Sequence, residues 1–320
     1  MRSTHFDVAG TGFVALDRVY ADDYEPFEAL GGSCGNVLAS LAMLGRKVAP
    51  LLVLGNDRVG GRLIAEFAGA GADTKFVHRR SGVASPVIAQ RTNTSSGEHQ
   101  FSFVCPETGR ELPRYQPIGD AELRSAGPLL RRCAVFYTDR LSDTIVAAME
   151  AASGAGATVF FEPSEIDDAV LVGRALSATS VLKYSFERIG DRLVSAPVRR
   201  GTIRIVTYGA DGLEASQDDR RVWCNAVQAD TVRDTSGSGD MVTVGVIDRI
   251  LEQRGDAKIR WQLDAALRGL MAGQRLAAAN CAFPGARGLF ERLGARAART
   301  ALDGRPSDAL PQLNPLDAAL

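Results

Sequence analysis

The chain of 320 residues has little of what marks several functional classes. Its five cysteines, Cys34, Cys105, Cys133, Cys224 and Cys281, are scattered and form no CxxC pair. That spacing argues against a zinc site and gives no disulfide framework. The three histidines, His5, His78 and His99, stand in no triad context. No apolar run approaches the roughly 20 residues of a membrane span. The first residues, Met-Arg-Ser-Thr-His-Phe-Asp, lack the apolar core of a signal peptide. A formal net charge of −1 gives no support for binding nucleic acid through bulk charge. The expectation is a reduced, cytoplasmic protein with neither a membrane nor a nucleic acid as partner.

What is present is ordinary in amount and specific in arrangement. Apolar residues make up 45% and charged residues 23% of the chain, as in soluble globular proteins. The length can bury a full core, in one large α/β domain or two smaller ones. Periodicity predicts strands at 6–10, 48–54, 133–137, 157–162, 179–184 and 202–207. Helices are predicted at 33–45, 58–70, 143–153, 165–177, 237–253 and 261–279. This alternation predicts a mainly parallel sheet with helices on both faces, which binds ligands at the carboxyl ends of its strands. Residues 84–104 differ. They alternate, are rich in Val, Thr, Gln and Phe, and turn at Asn93 to Gly97, as a β-hairpin does. With the segment 13–31 they predict a small β subdomain over the ligand edge.

Two motifs carry chemistry. Residues 234–240 read Asp-Thr-Ser-Gly-Ser-Gly-Asp before an apolar, helix-compatible run. Gly237 and Gly239 allow a tight turn whose N–H groups, with that of Ser238, face an anion, and a following helix adds the positive end of its dipole. Asp240 puts a carboxylate at the lip of that site, which suits a base beside a phosphate. Gly245, further along, permits close helix packing. A turn that merely caps a helix is the plainer reading of this stretch. The second motif is Gly31-Gly32-Ser33-Cys34-Gly35-Asn36, leading into a helix that ends at Gly45. Its glycines allow close ligand approach and Asn36 can both donate and accept hydrogen bonds, whereas the plainer reading is a helix start capped by Ser33.

Together these motifs resemble the two signatures of the PfkB, or ribokinase-like, family of sugar and nucleoside kinases. The likeness extends to Gly12…Asp17, Leu54-Gly55-Asn56-Asp57…Gly60, Thr207-x-Gly209-x-x-Gly212 and Gly285-Ala286, in the family's order. It implies a three-layer α/β/α fold over residues 1–320, with a central mainly parallel sheet and a β lid formed by about 13–31 and 84–116. It implies an ATP-dependent transfer to a hydroxyl of a sugar, sugar derivative or nucleoside. Asp240 would be the general base and the backbone of Gly237, Ser238 and Gly239 the anion hole. Asp17, Gly31, Gly32 and Asn36 would bind the acceptor, with Asp17 suiting a vicinal diol. Lys183, Ser185, Thr207, Gly209 and Gly212 would serve the nucleotide. Glu187 would act with Mg2+, and Asp234 and Thr235 would hold a monovalent cation such as K+. The family commonly dimerises through its lid, so a homodimer is expected.

The chain also departs from the family. Glu162-Pro163-Ser164 stands where Asp-x-Asn is frequent, and Ser185 where many members carry Asn. Those two replacements support a second reading, a kinase-fold protein of weak activity that acts as a ligand sensor or partner. Arg79, Arg80, Arg91, Arg110 and Arg114 suggest either an anionic substrate or, more simply, a solvated charged loop. Phe101 and Phe103 suggest lid core or a stacking wall. Gly10-x-Gly12-x-x-Ala15 fits a dinucleotide fingerprint, but Asp17, Asp22, Asp23 and Pro26 spoil the helix that should follow.

Overall fold

The computed structural model describes residues 5–21, 25–93, 98–252 and 262–304. The first part of the chain forms β1 (Phe6–Thr11), β2 (Ala15–Ala21), β3 (Phe27–Gly31), α1 (Ser33–Met43), β4 (Val48–Pro50), β5 (Leu52–Gly55), α2 (Arg58–Gly69), β6 (Val77–Arg80), β7 (Val87–Asn93) and β8 (Glu98–Ser102). Then come α3 (Asp120–Ser125), α4 (Gly127–Leu130), β9 (Cys133–Thr138), α5 (Asp143–Gly154), β10 (Thr158–Phe161), α6 (Ala169–Ala178), β11 (Val181–Ser185) and α7 (Phe186–Ile189). The last are β12 (Ile203–Thr207), β13 (Gly212–Gln217), β14 (Arg220–Asn225), α8 (Ser238–Glu252), α9 (Leu263–Asn280) and α10 (Gly288–Asp303).

The main sheet runs β14-β13-β12-β11-β10-β9-β1-β4. From β4 to β12 every pairing is parallel, and β13 and β14 extend the edge antiparallel. Alternate side chains of its strands enter two cores. Val8, Val135, Tyr137 and Phe160 face α1, α8, α9 and α10, while Ala9, Phe136, Val159 and Phe161 face α4, α5 and α6. Helices therefore cover both faces, as the alternation of elements predicts. A smaller sheet, β3-β2-β7-β8, stands apart and contains the expected hairpin. Its middle pair, β2 with β7, is parallel, a long-range pairing that local patterning does not announce.

Three expectations need correction. The apolar run 48–54 is two strands: Leu51 makes the last rung with β1, donating its N–H to Gly10 O at 2.8 Å, and the chain then changes partner. β4 then stays with β1 while β5 pairs with β6 in a sheet of its own. The helix placed at 165–177 begins at Ala169, where the Asp168 carboxylate accepts from the N–H groups of Val170 and Leu171 at 2.9 and 3.0 Å. The helix of the Gly31–Asn36 motif is capped by Gly32, not Ser33, and no side chain caps it. Residues 22–24 of the smaller-sheet segment, 94–97 of the predicted turn, and 253 and 261 at predicted helix ends lie outside the described residues.

Among the described residues, no helix is long and apolar enough to cross a membrane. Helices α8 and α9 meet through glycine. A Cβ on Gly245 would stand 2.3 Å from the Gly273 Cα, so the two backbones touch where any side chain would separate them. Overpacking of this kind costs about 1–3 kcal/mol or more. Gly245→Val is therefore expected to lower stability by about 3 kcal/mol in urea unfolding.

Candidate active site

Strand β1 has β9 on one side and β4 on the other, so chain direction along the sheet reverses there. Open α/β sheets bind ligands outside the carboxyl ends of such strands. The residues that leave those ends converge here: Gly12 after β1, Asp139 after β9 and Glu162 after β10.

The loop 234–240 folds as a tight turn into α8. Gly237 has φ 72°, and a Cβ there would lie 2.7 Å from both Cβ and the carbonyl oxygen of Ala286. Only glycine satisfies both demands. The Ser238 hydroxyl turns away from the helix mouth and donates to Thr235 O at 2.8 Å. The Ser238 N–H also points to Thr235 O, at 3.2 Å, which leaves the N–H groups of Gly237 and Gly239 as the polar surface of the turn. Asp240, in the first turn of α8, is 8% exposed, and its Oδ2 accepts from Asn36 Nδ2 at 2.8 Å. Burial, reinforced by the charge of Glu162, pushes its carboxyl up to about 6, against the pull of the Asn36 hydrogen bond and of Lys183.

Beneath this turn lies a polar network. Lys183, 2% exposed, donates to Glu162 Oε1 and, at 3.1 Å, to Gly239 O. Glu162 Oε2 accepts from Thr243 at 2.6 Å and from Tyr137 at 3.2 Å. Lys183, expected on the nucleotide side, is thus turned inward to brace the first turn of α8.

Asp17, Gly31, Gly32 and Asn36 come together on the other side of Asp240. Asp17 sits on β2, and its carboxylate fills the space above Gly31, where a Cβ would fall 1.9 Å from Oδ2. Burial raises Asp17 to about 7, opposed by the nearby Arg287 charge and added to by that of Asp240. Gly32 has φ 77° and packs on the Phe13 carbonyl. Among the buried polar atoms without a hydrogen-bond partner are Asp17 Oδ1 and Asn36 Oδ1. Unsatisfied buried polar atoms are costly and few. Two open acceptors here suit a ligand rich in hydroxyl groups.

The third group lies along β11 and β12. Ser185 and Thr207 are register partners at the carboxyl ends of these strands. Gly209, exposed with φ 58°, faces Glu187, whose Oε1 is 3.7 Å from its Cβ position. Gly212, with φ 131°, starts β13, and a Cβ there would meet Cys224 O at 2.3 Å. Tyr208 stacks on Phe186 at 5.1 Å and tilts against Trp223 at 5.4 Å. No group of three or more metal-ligating side chains occurs among the described residues. An exposed carboxylate at 187 beside an open glycine loop instead suits a hard cation carried in by phosphate oxygens and water.

Asp234, 1% exposed, accepts from Ser236 N–H and Gly285 N–H, each at 2.8 Å. The predicted basic cluster disperses. Arg79 braces Gly55 O and Asp57 O, and Arg80 pairs with Glu122. Phe101 and Phe103 also part: Phe101 is 46% exposed, whereas Phe103 packs edge-on to Phe13.

Several residues of the site were missed in the sequence. Asp139, 1% exposed, accepts from Phe13 N–H at 2.8 Å and pairs with Arg140, and burial raises it to about 6. Gly12 exists for it, since a Cβ there would lie 1.8 Å from Asp139 Oδ1. Its position immediately after a buried strand was the available signal. Arg287 is 6% exposed, yet its Nε and Nη1 have no partner. Nothing local to the sequence marks it.

Comparison with known proteins identifies the family and the fold. The family described as pfkB family carbohydrate kinase matches residues 27–288. The 2-dehydro-3-deoxygluconokinase of Bacillus subtilis is 22% identical over 285 residues, 78% of this chain and 86% of its own. The structure of a fructokinase with bound ATP from Xylella fastidiosa superposes with a TM-score of 0.73 at 18% identity, covering 93% of this chain and 98% of that one. The adenosine kinase of Sinorhizobium meliloti gives 0.67 at 19% identity, covering 93% and 100%. These likenesses establish a ribokinase-like fold.

A carboxyl raised from the ordinary range to about 6 makes the folded state hold its proton longer than the unfolded chain does. Stability from Asp240 is therefore full at low pH and is lost as pH rises through about 6. Asp240→Asn removes that loss and keeps an oxygen for Asn36. Its melting temperature should exceed that of the native protein by about 2–4 °C at pH 8. The difference should vanish near pH 4, as differential scanning calorimetry would show.

Proposed function

The chain belongs to the PfkB family of carbohydrate kinases, and from that premise we propose how this site transfers the γ-phosphoryl group of ATP to an acceptor hydroxyl. One observation carries the reading. The buried Asp240 carboxylate stands between the N–H groups of the 237–239 turn and the unpartnered oxygens of Asp17 and Asn36. An acceptor held by Asp17, Gly31, Gly32 and Asn36 places one hydroxyl at Asp240. Asp240 accepts the hydroxyl proton as the new O–P bond forms and the bond from phosphorus to the ADP oxygen breaks. General-base help of this kind is worth about 10²–10⁴-fold. The backbone N–H groups of Gly237 and Gly239, joined by that of Ser238 once it leaves Thr235 O, meet the charge that builds on the phosphoryl oxygens. Ser185, Thr207, Gly209 and Gly212 form the nucleotide side. Glu187 would be the protein carboxylate for a magnesium ion carried by the nucleotide, which would supply charge neutralisation at the phosphates.

The acceptor is a small polyhydroxylated compound. Asp17 favours a vicinal diol, and the name of the Bacillus subtilis relative adds 2-dehydro-3-deoxygluconate to the ribose-like and nucleoside acceptors worth testing. The smaller sheet acts as a lid, and its exposed β8 edge, bearing Phe101, joins two copies.

The test is ATP turnover with D-ribose, D-fructose, adenosine and 2-dehydro-3-deoxygluconate. At least one should support turnover, and Asp240→Asn should lower kcat about 10²–10⁴-fold. Below about pH 6 the native kcat should fall tenfold per unit as Asp240 protonates. Ligand binding without turnover by any acceptor would favour the second reading, a ligand sensor of weak activity. Light scattering at micromolar concentration should give the mass of a dimer, and a monomer would remove the lid pairing.

A further inference from the structure

The family resemblance places a monovalent cation at Asp234 and Thr235, and the residues present do not fit one. Asp234 Oδ1 accepts from Ser236 N–H and Oδ2 from Gly285 N–H, each at 2.8 Å. A third donor, Gln90 Nε2, reaches Oδ2 at 3.4 Å. A carboxylate offers about four lone-pair sites, and the three donors take most of them. The Thr235 carbonyl is likewise engaged, by the Ser238 N–H at 3.2 Å and the Ser238 hydroxyl at 2.8 Å. A cation needs oxygen lone pairs turned toward it, and here hydrogens are turned toward these oxygens.

Gln90 comes from β7, the strand of the smaller sheet that lies between β2 and β8, and is 1% exposed. Besides Asp234, its Nε2 faces Ser236 Oγ at 2.6 Å and Thr92 Oγ1 at 3.0 Å. The amide orientation follows from chemistry, since the ionised Asp234 carboxylate can only accept. One amide nitrogen thus sits among three oxygens, two of them from the loop that leads into the anion-hole turn.

We propose that Gln90 is a positioning residue whose amide takes the place of a monovalent cation behind the 237–239 turn, so that the enzyme works without one. The inference rests on the kinase reading for its rate arm only. Gln90 also ties the smaller sheet to the anion-hole loop, and therefore acts on the turn without touching the reacting atoms.

The experiment compares potassium chloride with tetramethylammonium chloride at equal ionic strength, by melting temperature and by kcat/KM for ATP. The native protein should melt within about 1 °C in the two salts and differ less than about threefold in rate. A potassium-specific rise of about 2 °C or more, or activation of about threefold or more, would overturn the proposal. Gln90→Ser removes the amide and leaves the oxygens of Thr92, Asp234 and Ser236 around a space. This variant should lose about tenfold in kcat/KM in tetramethylammonium and regain at least threefold in potassium, on the scale of a few lost hydrogen bonds. A variant that folds, keeps native kcat/KM and stays indifferent to the salt would also overturn it. Absence of turnover with every acceptor would count against the kinase reading. The melting arm, which needs no acceptor, would still decide the role of Gln90.

Discussion

The site depends on keeping one charged carboxylate, Asp240, buried at the start of a helix. Burial alone would neutralise it. The hydrogen bond from Asn36 and the nearby Lys183 ammonium oppose that, and the helix N-terminus favours the anion. These groups come from α1, β11 and α8, so three elements far apart in sequence must meet within a few ångströms. The sheet order brings them together: β1, β9, β10 and β11 are neighbours and parallel, and their carboxyl ends deliver Asp139, Glu162 and Ser185 to one edge.

Glycine makes this convergence possible at the backbone. Gly31 leaves room for the Asp17 carboxylate, Gly12 for Asp139, and Gly237 for Ala286. In the first two, a side chain would collide with the carboxylate. In the third, it would push the 237–239 turn off the 285–286 loop that supports it. Asn280 holds that loop in turn, donating to Ala286 O at 3.2 Å and accepting from Leu289 N–H at 3.0 Å.

Much of this was legible in the sequence, for physical reasons. Asp240, the 237–239 turn, Asp17 and Asn36 could be read because glycine spacing and a short carboxylate or amide at a helix start are local features. The alternation of strands and helices gave the parallel sheet because each element shows its own periodicity. The rest depends on partners distant in the chain. The split at Leu51 follows from β5 finding its partner in β6, and the β2–β7 pairing spans the elements from β3 to β6. The family resemblance sets Lys183 on the nucleotide side and does not see its contacts. Glu162, a longer acid than the family's usual Asp, reaches it and draws it inward. Gln90 in a lid strand carried no signal at all, since its meaning lies in Asp234 and Ser236.

The Glu162–Lys183 pair bears on the proposed base in a way its partners explain. Burial is the main cause that raises Asp240 to about 6; Glu162 adds to it, and the Asn36 hydrogen bond and the Lys183 charge oppose both. A base works best when its pKa approaches the operating pH while most of it stays ionised. Burial with a second carboxylate nearby serves the first condition, and a hydrogen bond and a buried ammonium protect the second. The same ammonium holds Gly239 O at 3.1 Å, so the group that tempers the charge also fixes the backbone on which the base is mounted. Charge balance and position at Asp240 therefore cannot be varied independently: loss of Lys183 would leave Glu162 unpaired under the helix and free the first turn of α8 together.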